Sequence, residues 1–282
     1  MQGRPVPLTR GVEHMADHGG EASHQGPGLA RGEQQLPVHG LRRMAHVYRE
    51  RLLLHVTTDL VILTIRHHTL HVLLVERGTE PFRGRLALPG GFMRGDETVE
   101  ETAARELGEE TRLDAEALHL EQLGVYSAPG RDPRDRRVVT CAFLAIAPRL
   151  PAPTAGSDAR NALLCPVAPL LTDTGALAFD HGQILRDAVE QARNALQFTT
   201  VATSFCDPEF TISELRGVYE TVWDVRLDPP NFHRKVTEAD GFLAPTGRRG
   251  AAQGGRPATL YRAGPATRLT PPMMRPRTRS SC

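Results

Sequence analysis

Three glutamates, Glu106, Glu109 and Glu110, stand at positions i, i+3 and i+4 of the segment Arg105-Glu106-Leu107-Gly108-Glu109-Glu110. In a helix each residue advances about 100°, so the three carboxylates crowd into one narrow arc. Like charges at that spacing repel and weaken the helix unless something positive stands among them. A hard divalent cation such as Mg2+ is such a partner, because it takes oxygen ligands from carboxylates, water and phosphate. Upstream, Pro89-Gly90-Gly91 lets the backbone approach closely, which makes the Gly90 carbonyl a candidate further ligand. Arg105 can pair with a carboxylate and hold it in place. A solvated Glu/Arg helix face would account for the charges alone. It does not account for the glycine pair or for the spacing from Gly91 through Glu97 to Arg105.

The surrounding pattern supplies a frame for that helix. Two strand-like runs, VTTDLVILTI and LHVLLVE, lie between residues 55 and 76 and are separated by the polar turn RHHT. A loop with Pro81 and Gly84 leads to LALPGG, and helical spacing follows over residues 98–111. Strands are expected at 118–126 and 138–147, joined by the polar loop SAPGRDPRDRR, and another helix at 180–196. Strands on either side of one strong helix, with a second helix beyond, define a mixed α/β sandwich. Its core spans residues 52–150 and extends to about 200 with the last helix.

The string from Gly91 to Leu113 resembles the Nudix box, G-x5-E-x7-R-E-U-x-E-E-x-G-U with U aliphatic. It fits at Gly91, Glu97, Arg105, Glu106, Leu107, Glu109, Glu110 and Leu113, and departs at Arg112, where the motif has glycine. The resemblance implies an α/β/α sandwich with a mixed sheet. It also implies Mg2+, or Mn2+, held by Glu106, Glu109 and Glu110 with help from the Gly90 carbonyl. Glu97 and Arg105 would support that set while water attacks a phosphorus of a diphosphate. A side chain at Arg112 costs about 1 kcal/mol if the helix ends there in a left-handed conformation, and removes no ligand. The loop between two strands carries arginines that can clamp phosphates or stack on a base; a merely solvated charged loop explains them equally well on spacing alone, and the contacts Arg131 and Arg134 follow only from the loop's resemblance. Their P-G-R-D-P-R loop resembles Nudix proteins acting on ADP-ribose-like ligands, including bacterial regulators of NAD metabolism. Asp158 is the candidate for the distant acidic base that some Nudix enzymes use.

Beyond residue 208 the composition changes. Ile212, Leu215, Val218, Tyr219 and Val222 follow helical spacing, with Thr211 or Ser213 available as a cap. Asp228-Pro229-Pro230 makes a turn into a second helix over 231–239, in which Phe232 and Val236 share a face. A short ribbon opens at Phe242 and Leu243 and returns at Leu260 and Tyr261, with Arg248, Arg249 and Arg256 between. From Pro229 to Arg262, six basic residues face two acidic ones, a local excess of about four positive charges on a chain of net charge +1. That is the electrostatic footprint of a phosphate-backbone binder. A second helix offering Asn231, Arg234 and Lys235 can enter a major groove and read base edges. A small helical cap or dimerisation unit with a soluble basic loop is the plainer account. The stretches EFTISELRGVYE, NFHRKV and GRPATLYR resemble the winged-helix end of Nudix-related transcriptional regulators of NAD biosynthesis. That resemblance implies a small winged-helix domain over 208–262, double-stranded DNA as partner, ADP-ribose as effector and a homodimer. Some members of that family have eroded boxes and no hydrolytic activity, whereas this chain keeps Arg105, Glu106, Glu109 and Glu110.

Two segments read as disordered: 1–45, rich in Gly, His, Pro and Gln, and 264–282, holding prolines and arginines without periodicity. Ordered sequence begins at Met44, where translation is expected to start. Cys141, Cys165, Cys206 and Cys282 show no metal or disulfide spacing, which suits a reduced cytoplasmic protein. The most apolar run, 52–65, is broken by His55, Thr57, Thr58 and Asp59, so no membrane partner is expected. Two functions follow. One is a Mg2+-dependent hydrolase of ADP-ribose or a related nucleoside diphosphate derivative, and the other an ADP-ribose-sensing regulator with little or no hydrolysis.

Overall fold

The computed structural model describes residues 53–111, 119–134, 137–148, 150, 162–173, 175–250 and 257–276. The 1–45 tail, the Met44 start, Arg112, Asp158, Arg256 and residues 277–282 lie outside them. Strand β1 (Leu54–Arg66) is the spine. Hairpin strand β2 (Thr69–Glu76) pairs antiparallel with its C-terminal end. The short strands β3 (Leu86–Ala87) and β4 (Gly90–Phe92) follow, β4 pairing with Thr57–Asp59 of β1. Helix α1 (Val99–Thr111) carries the glutamates and starts with a reciprocal cap. There the Glu101 amide donates to Thr98 Oγ1 (3.1 Å) and the Thr98 amide to Glu101 Oε2 (2.7 Å). Strands β5 (His119–Tyr126) and β6 (Arg137–Ile146) form the other hairpin, and β6 runs parallel to β1 over ten residue pairs.

β1 is buried on both faces, so its side chains sort into two layers by alternation. Leu60 and Ile62 meet Ala103 and Leu107 of α1. Val61 and Leu63 face the other way, into the cluster that holds Ile184, Leu185 and Ala188 of helix α3 (His181–Phe198). The result is the expected α/β/α sandwich with a mixed sheet. Two elements add to the sequence-based frame: strand β7 (Ala162–Pro166), which pairs with β2 at the sheet edge, and the short helix α2 (Val167–Thr172) that continues from it.

After α3 comes a 3-10 turn (Val201–Phe205), then helix α4 (Ile212–Trp223), helix α5 (Pro229–Glu238) and the antiparallel ribbon β8 (Leu243–Arg249) with β9 (Thr259–Ala263). Thr211 and Glu214 form a capping box at the start of α4. Asp228 caps α5 by accepting the Asn231 amide, and prolines fill its first turn, where no amide donor is missed. Phe210 exchanges both backbone bonds with Tyr261, which ties the ribbon to the start of α4. This is a winged helix.

No apolar break separates the winged helix from the sandwich. The cluster that fills the α3 side of the sheet continues through Leu215, Tyr219, Val222 and Trp223 of α4 to Phe232 and Val236 of α5. Arg193 of α3 donates to the Val222 carbonyl (2.9 Å), and the Trp223 indole donates back to the Arg193 carbonyl (2.9 Å). The chain after Gly264 departs from expectation. Residues 264–276 are not loose: the Leu269 amide bonds Phe198 O (2.9 Å), the Met273 amide bonds Gln197 O (2.8 Å), and both side chains are buried in the shared core. Two isolated apolar anchors among prolines give no periodic signal, yet each removes a large side chain from water and satisfies a carbonyl at the end of α3.

Candidate functional site

The expected glutamate site is assembled around one guanidinium. Arg105 Nε donates to Glu97 Oε1 (2.7 Å), Nη2 to Glu97 Oε2 (3.0 Å) and Nη1 to Glu106 Oε1 (2.5 Å), while Glu109 Oε2 lies 3.5 Å from Nη1. Nη2 also reaches the Phe92 carbonyl (3.3 Å), which fastens α1 to β4. The Arg105 hydrogen bond, with help from the Arg94 amide and Thr102, holds the Glu97 carboxyl down at about 2. The same two carboxylates push the Arg105 guanidinium upward. Glu97 and Arg105 are thus a locked bracket beside Glu106 and Glu109.

The glycine pair has two separate reasons. Gly90 has φ +154°, and a Cβ there would stand 2.1 Å from the Thr58 carbonyl. At Gly91 a Cβ would stand 2.2 Å from Glu106 Oε1, so only glycine leaves room for that carboxylate. Glu106 is therefore brought against β4, on the side where the Gly90 backbone runs. Among the described residues no three His, Cys, Asp or Glu side chains converge closely enough to hold a metal ion. The Glu110 side chain lies outside the described residues. The donors that are described, Glu106 and Glu109, are hard oxygens fitted to a hard divalent ion.

Beside this bracket a cleft of about 200 Å3 is lined by Asp59, Arg77, Leu88, Gly90, Gly91, Phe92, Arg131, Arg134, Phe179 and His181, among others. Both expected loop arginines line it, in different roles. Arg131 is almost fully buried; it grips Asp180 with Nε (2.9 Å) and Nη2 (2.7 Å) and touches Asp59 Oδ2 (3.3 Å). Burial opposes its charge, and the two carboxylates more than offset that, so its pKa is raised. Arg134 is partly exposed, paired with the buried Asp132, and its guanidinium carbon lies 5.7 Å from the Phe92 ring centroid and 5.9 Å from that of Phe179. Arg77 sits over the other side of the scene, 4.5 Å from the Phe179 centroid. Burial, and then the neighbouring charge of Arg134, push Arg77 below the usual arginine value.

No motif or spacing in the sequence singles out Asp59, Arg77, Phe92, Phe179, Asp180 or His181. The signal available was Asp59, a charge inside an apolar strand. His181 is buried, and its Nδ1 accepts the Leu88 amide (2.8 Å), so the remaining ring proton is on Nε2, which faces Asp59 Oδ1 at 3.6 Å. Burial, the leading cause, depresses its pKa despite the two nearby carboxylates. The ring is a neutral strut between β1 and the start of α3.

On the winged helix, α5 buries Phe232 and Val236 and exposes Asn231, Arg234 and Lys235 as expected, together with His233. Arg234 donates to Glu238 Oε2 (2.9 Å) and to Asn231 Oδ1 (3.0 Å), so the exposed row is pre-arranged. Arg248 and Arg249 are exposed on β8, with Arg248 paired to Glu209.

Sandwich, glutamate helix and wing together define a Nudix domain joined to a winged helix. The NUDIX domain family matches residues 53–188, and the NrtR DNA-binding winged helix domain family matches residues 202–263. Over 208 residues the chain is 31% identical to the ADPR responsive transcriptional repressor NtrR of Acinetobacter baylyi, spanning 73% of this chain and 80% of that protein. Over 118 residues it is 43% identical to the ADP-ribose pyrophosphatase of Methanocaldococcus jannaschii, which covers 41% of this chain and 64% of that one. The crystal structure of Shewanella oneidensis NrtR complexed with a 27mer DNA aligns with a TM-score of 0.66 at 30% identity, over 78% of this chain and 99% of that chain. The chain belongs to the NrtR family of Nudix-related regulators.

Proposed function

We propose that the cleft takes ADP-ribose or a related nucleoside diphosphate derivative and hydrolyses its diphosphate with a divalent ion, Mg2+ or Mn2+, and that α5 and the wing bind double-stranded DNA. The observation that carries the reading is the Arg105 bracket: Arg105 holds Glu106, which lies against Gly91, and stands 3.5 Å from Glu109, while Gly91 itself lines a cleft that also presents Arg77 and Arg134. Glu106, Glu109 and Glu110 would hold the ion, with the Gly90 carbonyl assisting. When bound, the ion would lower the pKa of a water and offset charge growing on the phosphates. The chain's own part is positional. Arg105 and Glu97 fix the direction of Glu106, and Gly91 leaves space for it. Arg77, whose charge is disfavoured by burial and then by the neighbouring Arg134, favours the arrival of an anionic ligand.

The second reading, a sensor with little or no turnover, is favoured by the core shared between α3 and the winged helix. His181, the first residue of α3, lines the cleft and Asp180 before it holds the cleft residue Arg131, while Arg193 further along α3 is locked to α4. A ligand that displaced them would act on the winged helix through one rigid element. In either reading the protein works in the cytoplasm as a homodimer; no described helix is long and apolar enough to cross a membrane.

The test is AMP release from ADP-ribose with Mg2+, beside Glu109→Gln. Release that vanishes in the variant, with its circular dichroism unchanged, supports a hydrolase. Undiminished release in Glu109→Gln overturns the metal assignment. Binding of ADP-ribose with no release in either protein, and with loss of DNA binding, establishes the sensor.

A further inference from the structure

A second cavity lies where the sandwich meets the winged helix. It measures about 720 Å3, against about 200 Å3 for the cleft beside the Arg105 bracket, and the two share no lining residue. That volume is in the range of small-molecule sites. Leu70 of β2 with Val167, Ala168 and Leu171 of α2 supply an apolar wall. Helix α4 and the turn after it supply a polar one, with Arg216, Glu220, Thr221 and Asp224. The Thr221 hydroxyl donates to the His68 carbonyl (3.4 Å), which ties α4 to the β1–β2 turn.

Arg216 is the unsettled group in the polar wall. Its side chain is 24% exposed, yet Nε is buried and has no hydrogen-bond partner among the described residues. Glu220 Oε1 stands 3.7 Å away, too far for a hydrogen bond, and accepts the Leu227 amide instead (2.9 Å). Leaving a buried donor of a charged group unpaired is costly, and an acceptor arriving there recovers that cost. The other arginines of the lining are differently placed. Arg193 is spent on the Val222 carbonyl and Glu190, and Arg226 stands almost wholly in water, 3.8 Å from Glu220 Oε2.

The lining also sorts among anions. Glu220 and Asp224 repel a dianion more strongly than a monoanion, and an inorganic phosphate has nothing to set against the apolar wall. We propose that this cavity is a second ligand site, for a small organic monoanion, a carboxylate carried on an apolar ring or chain. The carboxylate accepts from Arg216 Nε and the adjacent Nη, and the apolar body lies against Leu70, Val167 and Leu171. Because β2 and α2 belong to the sandwich and α4 to the winged helix, the occupant touches both domains. Arg216 further lines a smaller cavity with Phe232 and His233 of α5, so the ligand fixes a residue that also borders the second helix of the winged helix. The site stands independently of what the cleft binds.

The experiment uses the full chain and three probes, naphthoate, naphthamide and inorganic phosphate, followed by calorimetry and ligand-observed NMR. Naphthoate binds, and Arg216→Gln weakens it about tenfold, the effect of one lost charge-assisted hydrogen bond. Ala168→Glu weakens it by about the same factor, because it brings a carboxylate of the chain's own into the lining. Ala168 is exposed on α2, so this variant decides the matter should Arg216→Gln fail to fold. Naphthamide, of the same shape without the charge, binds about tenfold more weakly than naphthoate. Naphthoate binding unchanged in both variants overturns the site and places the probe elsewhere, and no naphthoate binding overturns it outright. Equal binding of naphthamide, or tighter binding of phosphate, overturns the assignment to an organic carboxylate.

Discussion

The cleft and the face of α5 use charge in opposite ways. At the cleft and the bracket beside it, charged groups are largely shielded and already paired: Arg131 with Asp59 and Asp180, Arg105 with Glu97 and Glu106. On α5, Asn231, Arg234 and Lys235 stand in water, and the Arg234–Glu238 pair is more than half exposed at both ends. Buried pairs are rigid and costly to break, whereas exposed ones contribute little to stability and exchange partners freely. The first arrangement suits a site that must meet one small ligand in one geometry. The second suits a surface that trades water and counterions for a phosphate backbone. Substitutions in the two regions should therefore fail differently, in folding at the cleft and in salt-sensitive binding at α5.

The sharpest test of that contrast is Arg131→Ala. It leaves Asp59 and Asp180 facing one another without their shared cation, at a cost of about 3–5 kcal/mol. Urea unfolding should show the loss, in a single transition because the core is continuous through α3. A near-neutral result would mean that these carboxylates are solvated and that the cleft is not pre-paired. Next in size is Gly91→Ala. The added methyl group collides with Glu106 Oε1, so Glu106 must swing from its place against β4. Metal-dependent turnover, or ADP-ribose-linked metal affinity where turnover is absent, should fall about 10–100-fold with stability little changed. Equal activity in both proteins would show that Glu106 does not need that position.

Much of this contrast was legible in the sequence, and the part that was not has a common cause. Helix α1 and its bracket are local: Glu97, Arg105, Glu106 and Glu109 lie within four turns, and their spacing alone implies their convergence. The α5 face is also local, because Phe232 and Val236 fix which side is buried. The rest of the cleft is not. Arg131 meets Asp59 across 72 residues and Asp180 across 49, and the Leu88 amide meets His181 across 93. No periodicity encodes such pairings. β7 escaped notice because ALLCP is a short apolar run beside a proline, without alternation to mark it as a strand. The 264–276 segment carries no periodic signal because Leu269 and Met273 bury themselves singly in a core already built by other elements.

On the exposed face the expected effects are smaller and depend on salt. Lys235→Ala should weaken DNA binding by a similar factor on all sequences and lower the salt slope by about 1. Arg234→Ala should cost about 1–3 kcal/mol and relax discrimination at one base position, if its guanidinium leaves Glu238 for a base edge. Gel-shift titrations at several salt concentrations separate the two. A salt slope unchanged by Lys235→Ala would place that side chain away from the backbone and break the contrast from the DNA side.

The smallest effect is set by pH and returns to the cleft. His181 is buried and neutral, with its pKa held below the ordinary value of 6.5. The unfolded chain takes up a proton on this ring at about 6.5 that the folded chain refuses. Folded stability is therefore fully present above 6.5 and declines as pH falls below it, by at most about 1.4 kcal/mol per pH unit until the folded pKa is reached. Asp59 and Asp180 face the ring and temper the decline, because each favours the charged form. His181→Asn, which can still accept the Leu88 amide through its side-chain oxygen, should be less stable at pH 8 but flatter between pH 6.5 and 5 in urea unfolding. An equally steep decline in the variant would assign the acid sensitivity to other groups. It would also show that the Asp59 side of the cleft tolerates a charged imidazole, and that pre-pairing there is looser than the distances imply.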